Sequence, residues 1–315
     1  LKVKGFSLGI FPKSEKLIRI IRRNPSKVIK AIKAEEIRDV ITQIKLNLSF
    51  ISDPMLNFED LLRPFTNFEG IQAGALSRFY ETNTFYRKPI IKSKIREGKE
   101  SHYLSRITYS KKEFMYKNLS WKAELPEPYT FATLSENKAY DKFENLVLDL
   151  ANALAVEAKL IEMAKYSLIL LRAPELAYNP NKKAFEYAKK GIKIISESTK
   201  LKLFLNLYFG DCSYAIKELS KFDYIDGLVI DFKHTPVNVV SYVKGKELGL
   251  GIVDTGNTKM EDKEELFNVV KKVNELGFKR VYITPNVDLE YLPRKFALKK
   301  LRVISSLIKR WEDNE

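Results

Sequence analysis

The last third of the chain repeats one pattern four times: an apolar run stops at a polar cluster, and a helix-like segment follows. The runs are LKLFLNLYFGD from Leu201, YIDGLVIDFKHT from Tyr224, ELGLGIVDTGNT from Glu247 and FKRVYITPNVD from Phe278. Continuous Val/Ile/Leu runs mark parallel strands that are buried on both faces. Their alternation with helical segments argues βα units. Polar residues gather where each strand ends: Tyr208 and Asp211, Asp231 and His234, Asp254 and Asn257, Asn286 and Asp288. The pattern predicts an α/β fold, a (β/α)8 TIM barrel whose C-terminal rim carries the chemistry.

The upstream residues supply the remaining strands. Lys4–Ile10 reads as the first, and FPKSEKLIRIIRR as a helix capped by Ser14. Apolar residues at helical spacing (Val28, Ile32, Ile37, Ile41, Ile44) predict one long helix over Pro25–Asn47. Leu48–Ser52 reads as the second strand, Leu119–Glu124 as the third and Tyr166–Leu171 as the fourth. Helices are expected over Tyr140–Ala164 and, closing the chain, Arg294–Arg310. Residues 54–118 are too long for a plain loop and read as an insertion between the second and third strands. It would hold short helices near Phe58–Phe65 and a hairpin in KPIIKSKIREGKESHYLSRI turning near Glu97–Gly98. Insertions at this end of a barrel often cover a site.

A chain of 315 residues fits one barrel, so 1–315 is read as a single domain. No stretch reaches the roughly 18 consecutive apolar residues of a membrane span, and LKVKGFSLGIF is too short and polar for a secretory signal. The expectation is a cytoplasmic protein. One cysteine, Cys212, excludes an internal disulfide and a thiolate-rich metal site within one chain. The net charge of +15 has three readings: a solvated Lys-rich surface of a hot-environment protein, a field that attracts a polyanionic ligand, or nucleic-acid binding. Basic residues are scattered over helix faces, as in IRRNPSKVIKAIK, without the aromatic interleaving of a nucleic-acid groove. Nucleic acid is therefore the least supported of the three. Asp231 and Asp254 end adjacent strands. They either face a ligand at the mouth or cap the helices that follow, and Asn257 and Asn286 share that ambiguity.

Taken in order, LYFGD, DGLVIDF, LGLGIVDTGNT and PNVDL resemble the N-terminal barrel of cobalamin-independent methionine synthase. FPKSEKL, RFYETNTFY and LPEPYTFATLS extend the resemblance from about Phe11 to the last helix. The resemblance implies methyl transfer from a methylated folate- or pterin-type donor to homocysteine. In that family a C-terminal barrel carries the catalytic zinc, and the N-terminal barrel helps to hold the folate's polyglutamate tail. The present chain is too short for both barrels. It is therefore expected to be the component without zinc, acting with a separate zinc-bearing barrel and holding no tight cofactor of its own. Two alternatives stay open: a self-sufficient methyltransferase with an atypical metal site, and a basic barrel that binds RNA or another polyanion.

Residue by residue, the family's zinc positions depart here. The His and Cys position reads YFGDCS, without His; the Glu position reads IDF, with Asp231; the last Cys position reads TPNVDL, with Val287. Cys212, Asp231 and His234 make up the atypical alternative. Lys13 matches an early basic loop that points toward the folate tail. In LILLRAPELAY, Arg172 stands where the family has an acidic strand ending, while Glu175 persists. Arg172 either receives a ligand carboxylate or pairs with Asp231 or Glu175, the pairing being the plainer reading. Arg78, Asn83, Phe79, Tyr80, Phe85 and Tyr86 belong to a segment that sits near the mouth in the family. Its aromatics either stack on a flat heterocycle or pack a loop against the rim. Tyr208 completes the set of candidate ligand-binding residues.

Overall fold

A computed structural model describes residues 1–114, 118–243 and 245–314. Its centre is the predicted barrel. Eight parallel strands, β1 (Lys2–Gly5), β2 (Ile51–Ser52), β3 (Trp121–Pro126), β4 (Leu168–Arg172), β5 (Lys202–Leu207), β6 (Gly227–Asp231), β7 (Glu247–Val253) and β8 (Arg280–Pro285), form one sheet. β1 pairs with β8, and a parallel bridge between Phe6 and Phe50 closes the ring between β1 and β2. The strands are short and mostly buried, LILLR and GLVID at every position, because the barrel's inside and its helix layer cover opposite faces. Residues alternate between the two. Phe6, Leu8, Phe50, Leu168, Leu170, Phe204, Val229 and Tyr282 fill the inside as a separate cluster. Ile169, Leu171, Leu205 and Leu228 pack outward with the helices.

The longer helices are α1 (Glu15–Arg23), α2 (Val28–Lys45), α3 (Phe143–Met163), α4 (Lys182–Ser198), α5 (Ser213–Leu219), α6 (Lys263–Glu275) and α7 (Arg294–Glu312). Between β6 and β7 a 3-10 segment, Val237–Val243, stands in for a helix. α7 lies against β1 at a spot that only glycine allows: a Cβ on Gly5 would fall 2.6 Å from Ile304 Cγ2. No helix among the described residues is long and apolar enough to cross a membrane.

Several expected boundaries move. The first ladder ends at Gly5 rather than Ile10, because Gly9 turns left-handed (φ +67°) and gives its N–H to Glu124. The second strand is reduced to Ile51–Ser52, with Phe50 only bridging. The expected helix over Pro25–Asn47 opens as a 3-10 turn at Pro25–Lys27 and is α-helical over Val28–Lys45. Its inner face is also more polar than its apolar spacing predicted. Glu35, Glu36, Asp39 and Gln43 are buried, whereas Ile41 is 36% exposed. Each of these buried groups has a built partner. Gln43 bonds Ser7 and Ser52, Glu36 accepts from Leu56 N and Thr108, and Asp39 pairs with Arg294.

Between β2 and β3, a hairpin pairs Glu69–Arg78 with Phe85–Arg96. Its turn is Phe79–Thr84, not Glu97–Gly98. Arg78 fixes that turn by donating to the carbonyls of Thr82 and Glu81, and Thr82 Oγ1 donates to Phe79 O. The residues after Gly98 form a short helix, His102–Ser105, because Ser101 caps it and Glu157 accepts from His102 N. Residues 115–117, at the end of the expected insertion, lie outside the described residues. The insertion is anchored on Asp53, just after β2. Its buried carboxylate accepts the hydroxyls of Tyr103, Tyr109 and Tyr166 at 2.7, 2.5 and 2.7 Å. Burial raises the Asp53 pKa, and the three hydroxyls oppose that rise.

Glu36, tying α2 to the same insertion, is raised by burial to about 7 from an ordinary 4.5. Its folded value lies above its unfolded one, so its stabilising contribution is complete below pH 4.5 and is lost as pH rises through about 7. Denaturant titrations across that window should show a flatter pH dependence for Glu36→Gln than for the parent chain. Equal slopes would mean that the carboxyl ionises alike in the folded and unfolded states.

Candidate functional site

The C-terminal mouth of the barrel is closed from below by four charges, three carried inward by β3 and β4 and one by the segment after β8. Residues two apart on a strand share a face, so β3 presents both Lys122 and Glu124 to the interior, and both are fully buried. Arg172, at the end of β4, lies beside them. Its Nη1 meets Glu124 Oε2 at 2.5 Å, its Nη2 bonds Asp288 Oδ1, and Lys122 Nζ bonds Glu124. Gly9 N donates to both Glu124 oxygens at 3.1 and 3.2 Å, and the guanidinium sits 4.7 Å over the Tyr208 ring. Glycine is required at position 9, because a Cβ there would fall 2.1 Å from Asp288 Oδ1. Burial alone would raise Glu124, but Lys122 and Arg172 together hold it below the ordinary carboxylate range. Asp288, with Arg172 as its one cation, is left raised by burial.

Above this plug lies a cavity of about 510 Å³. One wall is the hairpin turn, Glu81–Thr84. The other walls come from the loops after β5 to β8: Phe209, Lys233 and His234, Asp254 with Asn257, then Asn286, Glu290 and Tyr291. Asp231 does not open onto the cavity but holds its parts. It accepts from Lys233 N at 2.9 Å and from Asn286 Nδ2 at 3.2 Å, and it meets His234 Nδ1 at 2.8 Å. An Asp partner on Nδ1 fixes the imidazole tautomer and leaves Nε2 free to accept. Asn286 Oδ1 in turn accepts from Thr255 N and Val287 N, both at 2.9 Å. Asp254 binds its own turn through Gly256 N and Asn257 Nδ2, and Lys233 Nζ approaches it to 3.4 Å. Both rim aspartates therefore cap local backbone, and only Asp254 also faces the cavity.

Of the candidate ligand-binding residues, Asn83, Asp254, Asn257 and Asn286 line the cavity, as does His234 of the alternative metal set. The other ligand-binding candidates do not. Arg172 pairs with neither Asp231 nor Glu175: the register sets it beside Pro126, so its side chain reaches diagonally to Glu124, two positions back on the same face of the adjacent strand, while Glu175, beyond the strand end, takes Tyr80 Oη at 2.9 Å. Tyr208 lies buried against Arg172. Tyr86 Oη donates to Leu134 O, and Arg78 is spent on the hairpin turn. Lys13 is partly buried, and its charge acts on Glu290. Phe79 and Tyr86 pack against the rim, and Phe85 is 57% exposed, so the rings on the cavity are instead Phe209 and Tyr291.

Sequence reasoning missed Lys122, Glu124, Glu290, Phe209 and Tyr291. Only the first two left a signal: two charges at alternate positions inside an otherwise apolar strand. No group of three or more His, Cys, Asp or Glu among the described residues converges so as to hold a metal ion. The alternative Cys212/Asp231/His234 set is not assembled. Cys212 Sγ lies against Gly210 O at 3.4 Å, burial pushes its thiol up to about 12, and Asp231 is already shared. Among the described residues, this set does not fit a zinc site.

These placements predict opposite costs for two changes. Arg172→Ala would strand Asp288 and leave Glu124 with Lys122 as its one cation, and should destabilise by about 3–5 kcal/mol in denaturant titrations. Asp254→Ala removes only a local cap and should cost about 1 kcal/mol or less. Similar values for the two would show that the plug is not what holds the mouth.

Comparison with known proteins gives a consistent result. The family model described as "Cobalamin-independent synthase, N-terminal domain" matches residues 66–277. The methionine synthase of Saccharolobus solfataricus is 32% identical over 224 residues, 69% of this chain and 65% of that protein. The methionine synthase of Sulfolobus acidocaldarius is 30% identical over 221 residues, 69% and 63% respectively. The match thus spans just under two thirds of each relative. Among solved structures, a B12-independent methionine synthase from Shewanella sp. W3-18-1, in complex with selenomethionine, superposes with a TM-score of 0.81 at 16% identity, covering 91% of this chain and 89% of that one. A methyltransferase from Methanosarcina mazei gives 0.66 at 12% identity, covering 99% and 94%. At such identities the likeness is one of fold, and the sequence matches carry the assignment: the chain belongs to the cobalamin-independent methionine synthase family, in the part described by its N-terminal domain.

Proposed function

We propose that this barrel supports methyl transfer from a methylated pterin- or folate-type donor to homocysteine as the component without zinc, working with a separate zinc-bearing catalytic barrel. The carrying observation is the state of the strand ends where a zinc site would be built. Tyr208, Phe209 and Gly210 stand where the catalytic barrel has its His, and Val287 where it has its last Cys. Asp231 is fully engaged with Lys233 N, His234 and Asn286. A homocysteine thiol with a pKa near 8.5 is mostly protonated at neutral pH, so it needs a metal or a cationic neighbour to become a nucleophile. The plug's Arg172 and Lys122 cannot serve, because both are buried and paired. Thiol activation is therefore assigned to the partner, and this barrel contributes the donor's surroundings.

The test mixes this chain with a zinc-bearing barrel of the family, homocysteine and a 5-methyltetrahydropterin glutamate, and follows methionine. This chain alone should give none and should contain no stoichiometric zinc by elemental analysis; the mixture should turn over faster than the zinc barrel by itself. With a net charge of +15, association with an acidic partner face should also slow as salt is raised. Full turnover by this chain alone would overturn the proposal.

A further inference from the structure

The hairpin of the insertion leaves one strand with an open edge. Its sheet has the order Glu69–Arg78, Phe85–Arg96, Glu136–Asn137, so the first of these strands has a neighbour on one side only. In a chain that is 30% charged, this outer strand reads EGIQAGALSR, with no charge and no proline from Gly70 to Ser77. Gln72, Ala73, Ala75 and Leu76 are exposed, Leu76 at 58%. The unpaired N–H and C=O groups of an edge are a template for a further strand, which is why edges usually carry lysine, proline or a covering loop. This edge carries only bulges.

The hydrogen bonds of the inner strand, Phe85–Arg96, show which backbone groups the edge presents. In an antiparallel ladder, opposed residues either bond each other or both turn their polar groups away. Ile91, opposite Ile71, accepts from Lys138 N at its carbonyl (3.0 Å); Pro89, opposite Ala73, has no N–H to donate. Arg87, opposite Leu76, donates its N–H to Asp60 Oδ2 at 3.1 Å. These three are turned away from the outer strand, so Ile71, Ala73 and Leu76 turn their own polar groups to the open side. Arg78, two positions beyond Leu76, does the same. Ile71 N donates to Phe68 O, which leaves its carbonyl; Ala73 and Leu76 keep both groups. The bulge between Ala73 and Leu76 sets Gly74 and Ala75 together against Lys88.

We propose that this edge pairs with the same edge of a second copy of the chain, antiparallel and about a two-fold axis between Gly74 and Ala75. In that register Ala73 meets Leu76 of the second copy, and Ile71 meets Arg78, so every outward residue meets an outward residue. Ala73 and the second Leu76 exchange both N–H···O bonds, and the second Arg78 N donates to Ile71 O, each twice by symmetry. Gly74 and Ala75 fall opposite each other as a non-bonded pair. A regular foreign strand would lose its register at the bulge, whereas a copy carries the same bulge at the same distance from the axis. Opposed residues share a face, so the exposed Leu76 covers Ala73 of the other copy, and the small Gly74 and Ala75 let the backbones approach.

The experiment uses the whole chain without ligand. Sedimentation velocity over a range of concentrations should show a reversible monomer–dimer equilibrium. Hydrogen exchange at low and high concentration reads the register. The amides of Ala73, Leu76 and Arg78 should gain protection in the dimer, while those of Gln72 and Ser77, already bonded to the inner strand, should change little. Leu76→Lys, a surface change, should raise the dimer dissociation constant by about tenfold or more with the melting temperature unchanged. Ala73→Pro should weaken the dimer too, by removing one outward N–H and leaving the bonds to the inner strand in place. A chain that is monomeric at every concentration would overturn the proposal. So would a dimer unaffected by Leu76→Lys, or one that protects amides away from this strand. Protection of these amides only when a zinc-bearing barrel is added would overturn it as well, and would name a foreign strand as the occupant. The inference goes beyond the methyl-transfer reading, and either can fail alone because the methionine assay does not read the dimer.

Discussion

The buried exchange of charge among Lys122, Glu124, Arg172 and Asp288 is the constraint on which the mouth of this barrel depends. It joins β3 and β4 to the segment after β8, and through Gly9 to the segment after β1. Two cations and two carboxylates balance, so no net charge is left inside the barrel. Such a network adds little stability over an apolar plug, yet loss of one member exposes the others to a desolvation cost of several kcal/mol. Its return is geometric. The floor beneath the cavity is rigid, and the loops that carry Asp288 and Glu290 are fixed relative to the strands that carry Arg172 and Glu124.

A second layer of polar contacts stands on that floor. Asp231 and Asn286 are both buried, and each spends its oxygens or amide on the other or on loop backbone. They hold His234 and the Asp254 loop in place, Asp231 from behind the cavity and Asn286 at its wall. The hairpin of the insertion completes the enclosure from the opposite side. Its own anchorage lies away from the mouth, in the three tyrosines gathered on Asp53. Floor, rim and cover are thus secured by separate buried carboxylates, each with its own partners.

The strong positive charge of the chain and the acidic cavity are not in conflict. Lysines and arginines lie on the outer faces of helices, as Lys16, Arg19, Arg22 and Arg23 do on α1. The strand-end positions carry mainly carboxyls and amides. The surface field therefore acts on partners and on approach, while the cavity acts on whatever enters it.

The alternation of buried strands with amphipathic helices, and so the barrel and the position of its rim, was legible from the amino-acid order, because burial on both faces writes itself locally as continuous apolar runs. Membership of the family was legible in the order of LYFGD, DGLVIDF and PNVDL along the chain. The sequence also placed polar residues at the strand ends, but it could not say which face each one takes. A one-residue change in where a strand ends turns a side chain from the mouth to a cap, as Asp231 and Asp254 illustrate. Nor could it pair Arg172 with Glu124 and Asp288, which lie 48 and 116 positions away and meet only through strand register and ring closure. The hairpin was mistaken locally because a Gly98 turn signal was read without the Arg78 contacts that set the turn at Phe79–Thr84. Glu290 carries no sequence signal at all: its place on the cavity wall is decided only where the segment after β8 meets the rim loops. Local periodicity thus determined the elements and their order, and only the tertiary structure decided which charges face each other, because those distances are set by closing the ring.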